Sequence, residues 1–375
     1  MARKNRLVWI ANVRGMLMIF VVCFHATQQY GSDWILIFFR LMILPLFFFM
    51  SGMLLQNNIS ASDFFKQKVR HLVLPYFQFC GLVYAIYLLR KLHNPAFITN
   101  SKLVQQLIGI FYASHSPALP IINLPLWFLP CLFIVQCIIF GFMRFSKITF
   151  CILLVLTAVA GIQLQQIPFP LPWSFAHACT YAIFAGLGYL SAKKLCRSSA
   201  ILPLKMVIPA WLFWIFGASA IYSTGFVEGL VPLLGSLSNI SPLLGLLGYL
   251  SSISSILATI GLFQRLPKTT YLSVIGKNTI EILSLHYVAF MLTTIILRKC
   301  FHIPVESVAE NLALRFPAWE ACLLIFTYII LGIVLPLLYV NCCNFFVTRK
   351  TLIKNRLKES RIFKITYGLK RPASF

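Results

Sequence analysis

Apolar runs of about 18 residues or more recur along most of this chain, and each is long enough to cross a hydrocarbon core of roughly 30 Å as an α-helix. They fall at Leu7–Tyr30, Trp34–Leu55, Leu72–Leu92, Ile122–Met143, Ile148–Leu164, Phe175–Ala192, Leu202–Tyr222, Leu243–Phe263, Leu272–Leu297 and Ala321–Val347. The runs are continuous rather than alternating, which argues against a membrane β-barrel. With 59% hydrophobic and only 11% charged residues, the chain lacks the charge to coat a soluble domain. The expectation is an all-α polytopic membrane protein with about ten transmembrane helices. Leu103–Tyr112 is too short to span and reads as a surface or re-entrant piece.

The net charge of +24 invites a nucleic-acid partner. The basic residues, however, form short clusters between apolar runs, the pattern of loops on the cytoplasmic side of a membrane. With the N-terminus inside, Arg90, Lys91, Lys102, Arg298, Lys299 and Arg315 lie outside, Arg14 and Arg40 lie within spans, and the remaining 24 Lys and Arg residues lie inside. Both termini are then cytoplasmic, and the chain is a multi-pass protein of the inner (plasma) membrane with no nucleic-acid partner. Residues 1–348 form the transmembrane domain, and 349–375 form a basic tail suited to anionic headgroups. Arg14 interrupts the first apolar stretch and no small-residue cleavage site follows, so this stretch reads as a retained helix, not a signal peptide.

Polar groups inside a membrane are costly, and each is a candidate for function. Arg14 and His25 are eleven residues apart on the first helix. At about 100° per residue they face nearly the same way, separated by about 16 Å along the axis. A structural reading has Arg14 snorkelling to the interface and His25 bonded to a neighbouring backbone. A functional reading has Arg14 binding an anionic group from the cytoplasm and His25 acting as general base on a hydroxyl deeper in the membrane. Glu281 lies five residues before His286, about 140° away around a helix. It would pair with Arg14 or Arg40, or support a histidine. His286 would bind an acceptor, orient His25 or sit satisfied in the core. Trp127 would line a cavity or belong to an interfacial belt. Ser51 and Gly52 read as a close helix contact. His115, His177 and His302 read as outer-loop residues. No histidine and carboxylate cluster has metal-ligand spacing, and no metal is expected.

The stretch Trp9-Ile10-Ala11-Asn12-Val13-Arg14-Gly15, followed by Val21-Val22-Cys23-Phe24-His25, resembles the first helix of the acyltransferase-3 family. These are multi-span membrane acyltransferases, mostly bacterial, that acylate cell-envelope glycans. Further motifs follow in the family's order: Pro45 to Gly52; Lys66, Lys68, Arg70 and His71 leading into Leu74-Pro75-Tyr76; Leu126-Trp127-Phe128-Leu129; and Gly276 through His286. The resemblance implies an O-acetyltransferase type of activity. It implies that His25 serves acyl transfer and Arg14 binds acyl-coenzyme A, acetyl-coenzyme A by family default. It also implies that Lys66, Lys68 and Arg70 face that donor, and that the acceptor is a glycan or lipid-linked sugar. Acyl-coenzyme A is then a substrate, and no bound cofactor is expected. Two positions depart from the pattern. Asn12 stands where the family carries aspartate, and lysines replace the paired arginines after the second helix, giving charge without the guanidinium fork. A transporter or flippase of an envelope lipid or glycan, marked by paired broken helices in two halves, is the rival reading. A non-catalytic relative is a third.

Overall fold

The computed structural model describes residues 8–27, 33–56, 58–114, 122–197, 201–225, 233–267, 269–305 and 316–367. Side chains are described as far as Phe345. Among the described residues every regular element is helical. The long helices are α1 (Val8–Thr27), α2 (Asp33–Met53), α4 (Leu74–His93), α6 (Phe128–Phe142), α7 (Lys147–Leu164), α8 (Phe175–Arg197), α9 (Leu204–Tyr222), α11 (Pro242–Phe263), α13 (Thr279–Cys300) and α14 (Ala318–Tyr367). Shorter ones are α3 (Ala61–Lys68), α5 (Asn100–Tyr112), α10 (Leu233–Ile240) and α12 (Thr270–Lys277). Local chemistry sets several starts. Ser60, Thr99, Ser146 and Ser241 each accept a hydrogen bond from a backbone N–H in the first turn of the helix they precede.

Nine helical stretches among the described residues are long and apolar enough to cross a membrane. The remaining expected span is α8, 23 residues long. It is less uniformly apolar because little of it needs to face lipid: Ala178, Cys179, Tyr181, Ala182, Phe184 and Ala185 are all buried against α2, α6 and α7. The expected short piece at Leu103–Tyr112 is the 13-residue α5, tied to α4 by Tyr76 Oη donating to Ile110 O at 2.7 Å.

Two expectations are corrected. The basic stretch before Leu72 is not a loop: Ala61–His93 is one helical rod, α3 passing into α4. No breaker precedes Pro75. The proline is accommodated by a widened π-helical turn at Val69–Val73, where Leu74 N–H bonds five residues back to Val69 O. Second, the run Leu272–Leu297 is two helices, interrupted at Asn278 (φ −110°, ψ 33°), whose Nδ2 donates to Val274 O at 2.8 Å and caps α12. The expected last span, Ala321–Val347, is found as part of α14, which continues beyond it. Its backbone is helical for 50 residues, to Tyr367, of which Ala318–Phe345 is the apolar part. Arg3, Lys4 and Arg6, the tail beyond Tyr367, and His115 lie outside the described residues.

α1 is wedged between two apolar groups. Ile10, Val13 and Leu17 join the main core, while Met18, Val22 and Ala26 pack with Ile282 and Phe290 of α13 and Leu324 and Tyr328 of α14. Two helix crossings are closed by a pair of glycines that brings the backbones into contact. A Cβ at Gly15 would lie 2.0 Å from Leu272 O, and one at Gly276 would lie 1.8 Å from Ala11 O, so α1 and α12 touch through a facing glycine pair. Gly52 against Ala185 O and Gly188 against Phe49 O do the same for α2 and α8, as the Ser51–Gly52 motif suggested. Small residues permit such approaches between membrane helices.

Candidate active site

The helices enclose a cavity of about 540 Å³ bounded by α1, α2, the α3–α4 rod, α6, α8 and α13, a size usual for ligand sites. Arg14 and His25 both line it, so the eleven-residue spacing on α1 does place them on one face. Arg40, Lys68 and His71 contribute further to the wall. Among the described residues that line it none is acidic. The remainder is mostly Leu, Ile, Met and Phe. An apolar chamber with cationic groups and no carboxylate favours an anionic ligand with a long apolar stem.

Arg14 is half-buried near the start of α1. Its Nη2 donates to Thr279 Oγ1 at 2.7 Å. Thr279 is the first residue of α13, presented there by the break at Asn278. Irregular backbone at such a depth is tolerated where it is buried in protein or faces a cavity. Glu281, in the first turn of α13, does not line the cavity, but its charge reaches Arg14. A carboxylate there also suits the positive end of the helix dipole. Asn12 points elsewhere. It is 3% exposed, and its Oδ1 has no hydrogen-bond partner among the described residues. The hydroxyl of Thr279 thus binds Arg14 directly.

His25 lies about three turns further along α1. Its Nδ1 is 3.1 Å from Tyr287 Oη, and its ring stands edge-on to Phe24 at a centroid distance of 5.5 Å. If the ring donates Nδ1–H to Tyr287, Nε2 is left as the basic atom, the arrangement a general base needs. His286 is fully buried, with Nδ1 donating to Ile282 O at 3.0 Å. Its ring is 5.3 Å from that of His25, packed behind it and outside the cavity wall. The structure therefore places Tyr287, rather than His286, in hydrogen-bond contact with His25. Tyr287→Phe is expected to lower the turnover of a His25-dependent reaction about three- to tenfold, the worth of one neutral hydrogen bond. Its pH–rate profile should also shift relative to wild type, while affinity for the anionic ligand holds. Initial rates across pH would check this, and an unchanged profile would remove Tyr287 from the site.

Of the expected basic cluster, Lys68 reaches the cavity, stretched over the Phe64 ring at 5.3 Å. His71 joins it one turn on. Lys66 and Arg70 are exposed and lie away from the wall, because a helical rod points them to other faces. Trp127 lines the cavity, 8% exposed, edge-on to His177 at 5.6 Å. His177 is therefore in the first turn of α8 and not on a loop. Ser51 lines the wall with its hydroxyl donating to Phe48 O at 2.8 Å, an ordinary helix contact. Arg40 sits over the Phe24 ring at 5.3 Å. No group of three or more His, Cys, Asp or Glu that would hold a metal occurs among the described residues.

The sequence alone passed over Thr279, Tyr287 and Gln136. Thr279 sits inside the motif that closes on His286 and Tyr287 directly follows it, and that motif drew attention to its histidine. Gln136 is a polar residue in the middle of the apolar α6, a signal the cost of intramembrane polar groups would have flagged.

Comparison with known families gives one finding. The family model described as an acyltransferase domain, that of acyltransferase-3, matches residues 7–340, nearly the whole chain. No curated protein matches the chain. No solved structure matches it either.

Proposed function

Since this chain belongs to the acyltransferase-3 family of membrane acyltransferases, we propose that it moves an acetyl group from acetyl-coenzyme A to a hydroxyl of a cell-envelope glycan or lipid-linked sugar. The observation that supports this most is the shared cavity: Arg14 and His25, on one face of α1, line a chamber with cations and no carboxylate in its described wall. In this reading the protein lies in the inner (plasma) membrane with both termini in the cytoplasm. The donor's phosphates dock from that side on Arg14 and Lys68, with His71 close by. The thioester points along α1 toward His25. Nε2 of His25 takes the proton of the acceptor hydroxyl as its oxygen attacks the thioester carbonyl. A C–O bond forms, the C–S bond breaks, and coenzyme A leaves as the thiolate. Tyr287 holds the imidazole, and Trp127 offers a flat face to the acceptor sugar. Lys66 and Arg70, outside the cavity, act on the approach of the donor.

Isolated membranes carrying the wild-type protein or His25→Ala at equal expression, given radiolabelled acetyl-coenzyme A, test this reading. Label in a glycan fraction that depends on His25 supports it and identifies the acceptor class. No His25-dependent label in lipid, glycan or protein, repeated with succinyl- and longer acyl donors, would sink it in favour of transport or a non-catalytic relative.

A further inference from the structure

Gln136 has no part in the reading above, yet it occupies a costly position. Leu129, Leu132 and Gln136 follow at spacings of three and four along α6, and all three face the cavity. Gln136 is 6% exposed, and its Oε1 has no hydrogen-bond partner among the described residues. No donor among the described residues bonds this oxygen, and a molecule filling the cavity is placed to supply one. A buried amide oxygen left without one is expensive in an apolar interior.

The position along the cavity narrows what that donor is. Cys137, the next residue of α6, is close enough to Lys68 for that ammonium's charge to reach its sulfur. Gln136 therefore lies toward the Lys68 end of the cavity. On the proposed function, this end holds the phosphates of acyl-coenzyme A. What continues from the phosphates into the chamber is the pantetheine arm, an apolar stem that carries amide N–H groups. Leu129, Leu132, Met50 and Leu54 line the wall for such a stem. We infer that Gln136 Oε1 accepts a hydrogen bond from an amide N–H of the pantetheine arm, making Gln136 a donor-positioning residue that selects pantetheine thioesters. The inference rests on the donor assignment made above.

Equilibrium binding to the purified full-length protein in lipid nanodiscs tests it, with two radiolabelled probes. Coenzyme A carries the arm, and adenosine 3′,5′-bisphosphate carries phosphates without it. Gln136→Leu, and Gln136→Met as a second apolar variant of similar size, should weaken coenzyme A binding about three- to tenfold and leave bisphosphate binding unchanged. Equal weakening of both probes would assign Gln136 to the scaffold. Unchanged affinity for coenzyme A would leave the oxygen to water. Either outcome overturns the inference while the donor reading stands. Failure of the wild-type protein to bind coenzyme A would overturn both.

Discussion

His25→Ala is expected to lower the initial rate of acyl transfer by about 10²–10⁴-fold, the usual worth of a positioned general base. The Michaelis constant for the donor should change little, because Arg14 and Lys68 are untouched at the other end of the cavity. No neighbour is placed to take over the proton. His286 is 5.3 Å away ring to ring, but it is sealed in the core with Nδ1 committed to Ile282 O. Tyr287 would lose its contact with the imidazole and gain no basic atom. Alanine is the residue most compatible with a helix, so α1 should persist and the thermal stability should stay near that of the wild type. The measurement is a rate at equal membrane abundance, paired with a melting curve. A loss smaller than about tenfold would mean that His25 is not the base, since that is no more than a positioning hydrogen bond accounts for.

The largest effect on stability is expected at the facing glycines of α1 and α12. Gly276→Val places a Cβ where Ala11 O lies 1.8 Å away. The clash is with backbone on both sides, so no rotamer change relieves it. Overpacking of an ordinary core costs about 1–3 kcal/mol. Here the helices must separate, and the cost should reach or exceed the upper end of that range against a total stability of about 5–15 kcal/mol. Gly141→Val, where a Cβ meets nothing within 4 Å, is the matched control. Size-exclusion traces and melting temperatures in detergent should show loss of folded protein for Gly276→Val alone. Equal behaviour of the two variants would refute the close crossing. Separation would also move Leu272 through Gly276 away from α1, and with them the Asn278 turn that hands Thr279 to Arg14.

Much of this arrangement was legible in the chain, for physical reasons that differ from residue to residue. The pairing of Arg14 with His25 follows from helical periodicity, which holds along any uninterrupted helix, and α1 has no breaker between them. The spans follow from the length of apolar runs, which the bilayer dictates. α8 was legible as a span by length, although its central place among neighbours makes it less apolar than the helices around it. What was not legible depended on contacts across the fold. Lys66, Lys68 and Arg70 look equivalent as a cluster of charges, yet once the segment is helical only Lys68 turns toward the cavity. The widened turn before Pro75 and the interruption at Asn278 have no strong sequence mark, because asparagine also occurs inside helices. The interruption has the form a transporter would show in pairs, but here it serves to bring a threonine hydroxyl to Arg14. Tyr287 and Gln136 were hidden differently. Which side of a helix faces a cavity is decided by the partners packed around it, and a single strand of sequence does not carry them.

Arg14 and His25 hang from the same unbroken rod of backbone, and this gives the protein a gauge. On the proposed function, the interval between where an anion is gripped and where a bond is remade is fixed by a count of residues, not by how neighbouring helices happen to lean. A change in the lean of the other helices would leave that interval as it is. A carrier whose arm is too short, once held at Arg14, ends before the imidazole, and one with an over-long arm must buckle. On that reading, reach becomes a criterion of selection in its own right, enforced by the rise of one α-helix.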